Sequence, residues 1–312
     1  MQNKLKLPPI VLCLMGPTAS GKTSIALELA QHLSCEIISV DSAMIYRAMD
    51  IGTAKPTLLE QSLVVHHLID IIDPIEKFSV AKFCVQACNL IAEIHQRNKI
   101  PLLVGGTMMY FNALQQGLSV LPDENHQIRQ DLFTQMQKYD LKFLYDQLQL
   151  LDPVSAQKIN CNDQQRIFRA LEVFHITQIP LSQLQQNKAI TNNYKFINIT
   201  LFPEDRSWLH QRIEQRFAFM LQHGFLEEVQ DLMKNWPLTI NDPAIRCVGY
   251  RQAYDYLLNN INYVDFYAQV LVATRQLAKR QLTWLRSWSE HYIIACDKNF
   301  DIHKIIAQII SY

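Results

Sequence analysis

The chain reads as an α/β protein: a parallel sheet with helices on both faces, interrupted by an all-helical insertion. Three observations predict this. Short apolar runs alternate with helix-period stretches from Ile10 onward, the pattern of a sheet buried on both faces. Three of those runs end in polar or glycine clusters, Gly16 to Thr23, Asp41-Ser42 and Gly105-Gly106-Thr107. Ligands of open parallel sheets gather at such strand ends. The character then changes near Pro122: from Asp123 to about Asn187 the sequence is helical and Gln-rich, before an apolar run returns at Tyr194. The expected division is a core of 1–121 and 194–312 and an insertion of 122–193.

The first run, Ile10 to Met15, leads into Gly16-x-x-x-x-Gly21-Lys22-Thr23, and helix-competent residues Ser24 to Leu33 follow. Strand, glycine loop and helix in that order form the context of a P-loop, so the sheet is expected to be P-loop NTPase-like. In such a loop backbone N–H groups converge on an anion at a helix N-terminus. Gly16, Pro17, Thr18, Ala19, Ser20, Gly21, Lys22 and Thr23 are therefore the candidate phosphate cradle. Lys22 would reach outer phosphate oxygens, and the Thr23 hydroxyl would ligate Mg²⁺.

Glu36 to Val40 is the second strand, and Asp41 stands at its end. Asp41 has three open roles: holding Mg²⁺ through water, acting as general base, or capping a helix expected over Ala43 to Met49. Leu68 to Ile72 is a further strand candidate, with His66 and His67 before it as packing or capping groups. Val80, Phe83, Cys84, Ala87, Leu90, Ile91 and Ile94 predict a helix capped by Ser79. Cys84 and Cys88, four apart with no second Cys/His pair nearby, read as core of that helix. Ile100 to Val104 is a fully apolar strand ending in Gly105-Gly106-Thr107. The acid that normally ends such a strand in motor ATPases is missing, which leaves small-molecule kinases and other diphosphate chemistry.

The insertion carries Arg129, Arg166 and Arg169, the last two on one helix face. Tyr194 to Phe202 is a strand rejoining the sheet. Asp205 or Ser207 caps a helix that runs to His223 and stops at Gly224. On it Arg212 and Arg216 share a face, either closing over a diphosphate or packing with Glu214 and Glu228. Over Thr274 to Trp288, Arg275, Lys279 and Arg286 fall within roughly 40° of the wheel. Leu277, Trp284, Leu285 and Trp288 are expected on an opposite, core face. His291 to Cys296 is a last strand and Ile302 to Ile310 a closing helix.

Composition narrows the classes. Lys+Arg and Asp+Glu balance at 29 each, so any nucleic-acid surface is local. Apolar runs fall short of a membrane span and the N-terminus lacks a signal-peptide core, so a cytoplasmic protein is expected. Seven scattered cysteines fit reduced thiols. No exposed apolar stripe argues for a dimer, and a monomer is expected.

Several blocks together resemble the bacterial tRNA dimethylallyltransferases, the IPP transferase family. They are GPTASGKT at 16–23, DSAMIYR at 41–47, DIGTAKP at 50–56, GGTMMYF at 105–111, NDQQR at 162–166, RCVGYR at 246–251 and ATRQLAKRQLTWLR at 273–286. They run in the family's order from about residue 10 to 290. One departure is Ala48, where the family often has glycine; the position reads as helix interior. The zinc finger of eukaryotic relatives has no counterpart among the cysteines.

The resemblance implies transfer of a dimethylallyl group from dimethylallyl diphosphate to N6 of adenosine 37, beside the tRNA anticodon. It implies Mg²⁺ as cofactor and an anticodon stem-loop as partner. The P-loop then holds a prenyl diphosphate, with Asp41 as general base and Thr107 beside it. The implied tRNA contacts are Asp41, Ser42, Ala43, Met44 and Thr107 at the site, and Arg129, Gln165, Arg166, Ile167, Phe168 and Arg169 in the insertion. To these are added Arg246, Cys247, Val248, Gly249, Tyr250 and Arg251, and Arg275, Lys279, Arg280 and Arg286 of the late helix. The main rival is a P-loop kinase of a small molecule or nucleotide, and a second is an RNA-binding module whose loop binds a structural anion.

Overall fold

In the computed structural model, which describes residues 8–119, 121–186 and 194–310, the chain forms two units. One comprises residues up to Gln115 and from Asn193 onward, the other Gln116–Asn192. The first unit contains the strands β1 (Ile10–Met15), β2 (Cys35–Val40), β3 (His66–His67), β4 (Ile100–Gly105), β5 (Lys195–Phe202) and β6 (Tyr292–Ala295). Its helices are α1 (Lys22–His32), α2 (Leu58–Leu63), α3 (Val80–Gln96) and α4 (Met108–Gln116), the last ending at the boundary. After the insertion, α5 to α9, come α10 (Arg206–Gln222), α11 (Phe225–Asn235), α12 (Tyr250–Leu257), α13 (Tyr263–Arg286) and α14 (Ile302–Ile310).

All strand pairs are parallel, in the order β3-β2-β4-β1-β5-β6. β1 lies between β4 and β5, with Leu12 opposite both Leu102 and Ile197. Its residues Val11 to Met15 are wholly buried because both faces are covered. Leu12, Leu14, Ile199 and Leu201 pack with Ile25 and Leu29 of α1 and Ile305 of α14. The strand's two-residue period sends Cys13 and Asn198 to the other face. There Gln115 of α4 donates to the Asn198 side-chain oxygen at 2.7 Å. Phe83 of α3 stacks on Tyr110 of α4.

Two expected elements pair with each other instead. Residues 43–49 do not form a helix, and 68–72 do not form a strand. The N–H groups of Asp70, Ile71 and Ile72 donate to Met44 and Ile45, and that of Arg47 donates to Ile72. Once these backbone groups are satisfied across the two segments, an i−4 ladder has nothing to bind. Ala48 is correspondingly not helix interior: it sits at φ 60, in the left-handed region that favours glycine. The short strand is His66–His67, with the His67 ring on the carboxylate of Glu36 at 2.8 Å. The other boundaries move by a few residues, except that α13 starts at Tyr263 rather than Thr274. Asn262 caps it by accepting from Asp265 N–H.

A second core joins the late helices to residues 45–49. Phe217 of α10 makes edge contacts with Phe225 of α11 and Phe266 of α13, and Phe225 does so with Tyr250 of α12. Glu228 of α11 ties this core to the segment after β2. Its carboxylate accepts from the N–H groups of Asp50, Ile51 and Gly52 and from the Tyr250 hydroxyl.

The insertion unit is helical: α5 (His126–Tyr139), α6 (Leu141–Leu151), α7 (Pro153–Lys158), α8 (Gln164–Thr177) and α9 (Leu181–Leu184). Leu132, Leu144, Leu148, Ile167, Leu171 and Val173 form its core. One of its buried charges is Glu172, fully buried, which accepts from Arg129 at 2.8 Å, Arg169 at 2.7 Å and the Asn125 N–H at 2.8 Å. Three charged or polar donors offset the cost of burying that carboxylate.

Candidate active site

The loop after β1 turns through Ala19 at φ 62 and Gly21 at φ 90, and α1 starts at once at Lys22. The first N–H groups of a helix have no partner within it, so those of the first turn of α1 are free to receive an anion. Lys22 reaches back along the loop and donates to the carbonyls of Gly16 at 3.1 Å and Pro17 at 2.7 Å. Burial, reinforced by the nearby Arg216 charge, pushes its ammonium down to about 8. Thr23, the candidate Mg²⁺ ligand, lines the same cleft.

Asp41 ends β2 on the opposite wall. Its Oδ1 accepts from the N–H groups of Ala43 at 2.8 Å and Met44 at 3.4 Å, which fixes the carboxylate. Oδ2 has no hydrogen-bond partner among the described residues, and Asp41 lines the cleft. Thr107, past the end of β4, is locked beside it. Its N–H donates to Val40 at 3.2 Å, and its hydroxyl oxygen accepts from Ser42 N–H at 3.1 Å. That leaves the hydroxyl proton free to be donated.

Arg212 and Arg216 of α10 face this cleft and pair with neither Glu214 nor Glu228. Arg212 donates to the carbonyl of Ala19 in the loop at 2.8 Å, and Arg216 to that of Thr53 at 3.1 Å. Glu214 is taken by Arg275, and Glu228 by the 50–52 backbone and Tyr250. Burial holds the Arg216 guanidinium below its ordinary range, partly countered by the Asp41 charge.

The cleft, of about 1000 Å³, lies within the core unit. Lys22, Arg212, Arg216, Arg246 and Arg280 line it, and Asp41 is the single carboxylate among its lining residues. Further along α10 its wall becomes apolar with Phe217 and Met220, next to Phe225, Tyr250 and Val270. Arg212 to Met220 spans about 12 Å at 1.5 Å per residue. The arrangement thus offers a phosphate cradle, a fixed carboxylate across from it, and a hydrophobic end.

Of the other residues expected at the site, Ser42, Ala43, Met44, Arg246, Cys247, Val248, Gly249 and Tyr250 line the cleft. Arg251 is exposed and does not line it. Tyr250 is buried, its hydroxyl on Glu228 at 2.6 Å. On α13 the expected division holds only in part: Leu285 is wholly buried, but the rest of its apolar arc meets the cleft. Arg275 is half-buried against Glu214, and Lys279 and Arg286 are exposed outside the cleft, with Arg286 over the Phe202 ring. Leu277, Arg280, Gln281 and Trp284 line the cleft, and Trp284, expected in the core, is 41% exposed. A wheel gives the relative angles of side chains but not which apolar arc meets protein and which meets a cavity.

In the insertion, Gln165 and Arg166 are exposed, with Arg166 on Asp163 at 3.2 Å. Arg129 and Arg169 are held by Glu172, while Ile167 and Phe168 are buried core positions whose side chains pack inward. Sequence reasoning offered Glu228 only as a partner of the α10 arginines and missed Gln281. Glu228 carries the 50–52 backbone, and Gln281 links the P-loop to the end of β4. A polar residue on the buried arc of α13 was the only signal for the second.

Comparison with known proteins agrees with this geometry. The IPP transferase profile matches residues 44–288, and an isopentenyl transferase profile matches 9–69. A tRNA dimethylallyltransferase of Legionella pneumophila strain Paris is 55% identical over 279 residues, 89% of each chain. One of Francisella philomiragia is 50% identical over 304 residues, 97% of this chain and 99% of its relative. The crystal structure of a tRNA isopentenylpyrophosphate transferase from Bacillus halodurans superposes with a TM-score of 0.71 at 35% identity, covering 97% and 96% of the two chains. A eukaryotic dimethylallyltransferase acting on tRNA gives 0.80 at 26% identity, with 97% of this chain and 80% of that one covered. With the profile spanning most of the sequence and relatives matched over nearly their full length, the chain belongs to the IPP transferase family.

Proposed function

We infer that the chain is a tRNA dimethylallyltransferase, moving a dimethylallyl group from dimethylallyl diphosphate to N6 of adenosine 37 beside the anticodon. The observation that carries this reading is the cleft itself: a P-loop with five cations, one carboxylate opposite, and an apolar end. The N6 lone pair attacks the allylic C1, the C1–O bond breaks, and its electrons leave with the diphosphate. The N6 proton passes to Asp41 Oδ2. An exocyclic amine is a weak nucleophile, and a fixed base contributes typically 10²–10⁴-fold at about this kind of step. Thr107 donates its hydroxyl proton to the substrate on the RNA side. The α1 amides, Lys22, Arg212 and Arg216 receive the charge growing on the leaving group. The apolar end takes the five-carbon tail and keeps water from an allylic centre with carbocation character.

Among the described residues no group of three or more His, Cys, Asp or Glu side chains stands ready to hold a metal. The site offers the Thr23 hydroxyl at the mouth of the phosphate cradle. Mg²⁺ commonly keeps several waters and shares phosphate oxygens, so this donor set fits an ion arriving with the diphosphate. Bound there, it would neutralise leaving-group charge.

The adenine would be extruded from the anticodon loop, at a cost of about a few kcal/mol. Arg246 and Arg280 at the cleft, with Arg129, Gln165, Arg166 and Arg169 of the insertion, are the RNA contacts of this reading. No helix among the described residues is long and apolar enough to cross a membrane. We read the protein as a cytoplasmic monomer.

The test is direct. Unmodified tRNA and Mg²⁺ are incubated with the protein and either labelled dimethylallyl diphosphate or γ-labelled ATP. Label enters RNA from the prenyl donor only. Phosphate transfer from ATP would make it a kinase and overturn the reading.

A further inference from the structure

Gln281 lies on the buried side of α13, 8% exposed, and both ends of its amide are engaged. Its Oε1 accepts from the Thr18 N–H in the P-loop at 2.9 Å. Its Nε2 donates to the Gly106 carbonyl at 2.9 Å, one residue before Thr107. The glycine makes room for this: a Cβ on Gly106 would stand 2.4 Å from Gln281 Nε2. One side chain therefore bridges the loop that cradles the diphosphate and the strand end that carries the Thr107 hydroxyl. It does so from the helix whose Arg280 and Trp284 line the cleft.

We propose that Gln281 is a positioning residue that links the two substrate sites: through its amide, occupation of the P-loop is felt at Thr107 and at the RNA-facing side of α13. The proposal rests on the prenyl-transfer reading above. The physical case is the geometry of the amide. Thr18 N–H is spent on Gln281, so this amide does not bind phosphate and instead sets where the loop stands relative to α13. Any shift of the loop on filling must stretch that bond or carry Gln281 along. A move of Gln281 would in turn draw on Gly106 through the second bond, also 2.9 Å. A linkage of this kind is reciprocal: donor bound raises RNA affinity by the factor by which RNA raises donor affinity. Typical couplings are about 5- to 150-fold.

The experiment measures binding of an anticodon stem-loop with and without saturating Mg²⁺ and inorganic pyrophosphate, in the parent protein and in Gln281→Met. Methionine keeps the volume and loses both hydrogen bonds. The parent is expected to bind the stem-loop at least about fivefold tighter when the loop is filled. In Gln281→Met this enhancement falls to below about twofold, while each ligand alone binds within about threefold of the parent. An enhancement retained in Gln281→Met overturns the proposal, because a residue that serves stability alone would leave the coupling intact. A parent that binds neither ligand overturns the prenyl-transfer reading itself. As a second handle, Gly106→Ala pushes the amide aside while residue 281 itself stays glutamine. Its loss of single-turnover rate is expected to vanish in the Gln281→Ala background, whereas additive losses would show that the two positions act separately.

Discussion

Replacing Asp41 by asparagine separates the base from the scaffold. In the parent, Oδ1 accepts from Ala43 and Met44 N–H groups while Oδ2 is left for the substrate. Asparagine can keep its carbonyl oxygen in the first position and place an NH₂ in the second. The turn is then preserved, but the group facing the adenine can no longer take a proton. Loss of a general base costs about 10²–10⁴-fold. At 1.36 kcal/mol per decade this is about 2.7–5.4 kcal/mol of barrier. Stability should change by under about 1 kcal/mol, since no core contact is lost. The assay is single-turnover transfer of labelled dimethylallyl to tRNA, beside a stem-loop binding titration. The expected pair is a rate lower by at least about a hundredfold and an affinity within about tenfold of the parent. A rate within tenfold would refute the base assignment, and a lost affinity would make Asp41 a binding residue instead.

Four further outcomes are expected. The Lys22 ammonium of the free protein, pushed down to about 8, is charged below that pH and neutral above it. kcat/KM for the donor should therefore fall as pH rises through about 8, with the kcat limb displaced to higher pH because bound diphosphate favours the charged form. The same depression means the free protein gains stability as pH rises from about 8 toward 10.5, where the unfolded chain still holds the proton. Gly52→Ala would place a Cβ 2.3 Å from Phe225 and 2.6 Å from Tyr250, two rings packed edge to face. Overpacking of this kind costs about 1–3 kcal/mol, and an unchanged urea midpoint would contradict it. Ala48→Gly should stabilise: relieving a Cβ in the left-handed region returns about 1–2 kcal/mol, against about 0.5–1 for added chain entropy. A lower melting temperature for that variant would show that φ 60 carries no strain there.

Most of what places the site was legible in the residues. The strands ending at Met15, Val40 and Gly105 are apolar runs whose covered faces leave little ambiguity of period, and their terminal clusters meet as expected. What misled was pairing at a distance. Residues 43–49 have helical composition, yet their backbone partners lie at 70–72, information no local window contains. The cleft-facing arc of α13 failed for a related reason: Trp284 and Leu277 are as apolar as a core arc, and only the position of α13 beside the P-loop makes them a cavity wall. The fate of charges was hidden too. Arg129 and Arg169 look like free cations until Glu172, on the same helix as Arg169, takes both.

The place of β5 bears on how the molecule is made. The phosphate-cradle strand β1 has two neighbours, and one of them, β5, begins at Lys195, after the whole insertion. As the chain leaves the ribosome, β1, β2 and β4 can zip together early, but β1 keeps one raw edge until β5, which begins at Lys195, has been made. Such distant pairing slows folding and leaves an unpaired strand edge open to misassociation. The glycine loop is thus the earliest part of the active site to be synthesised and among the last to be framed.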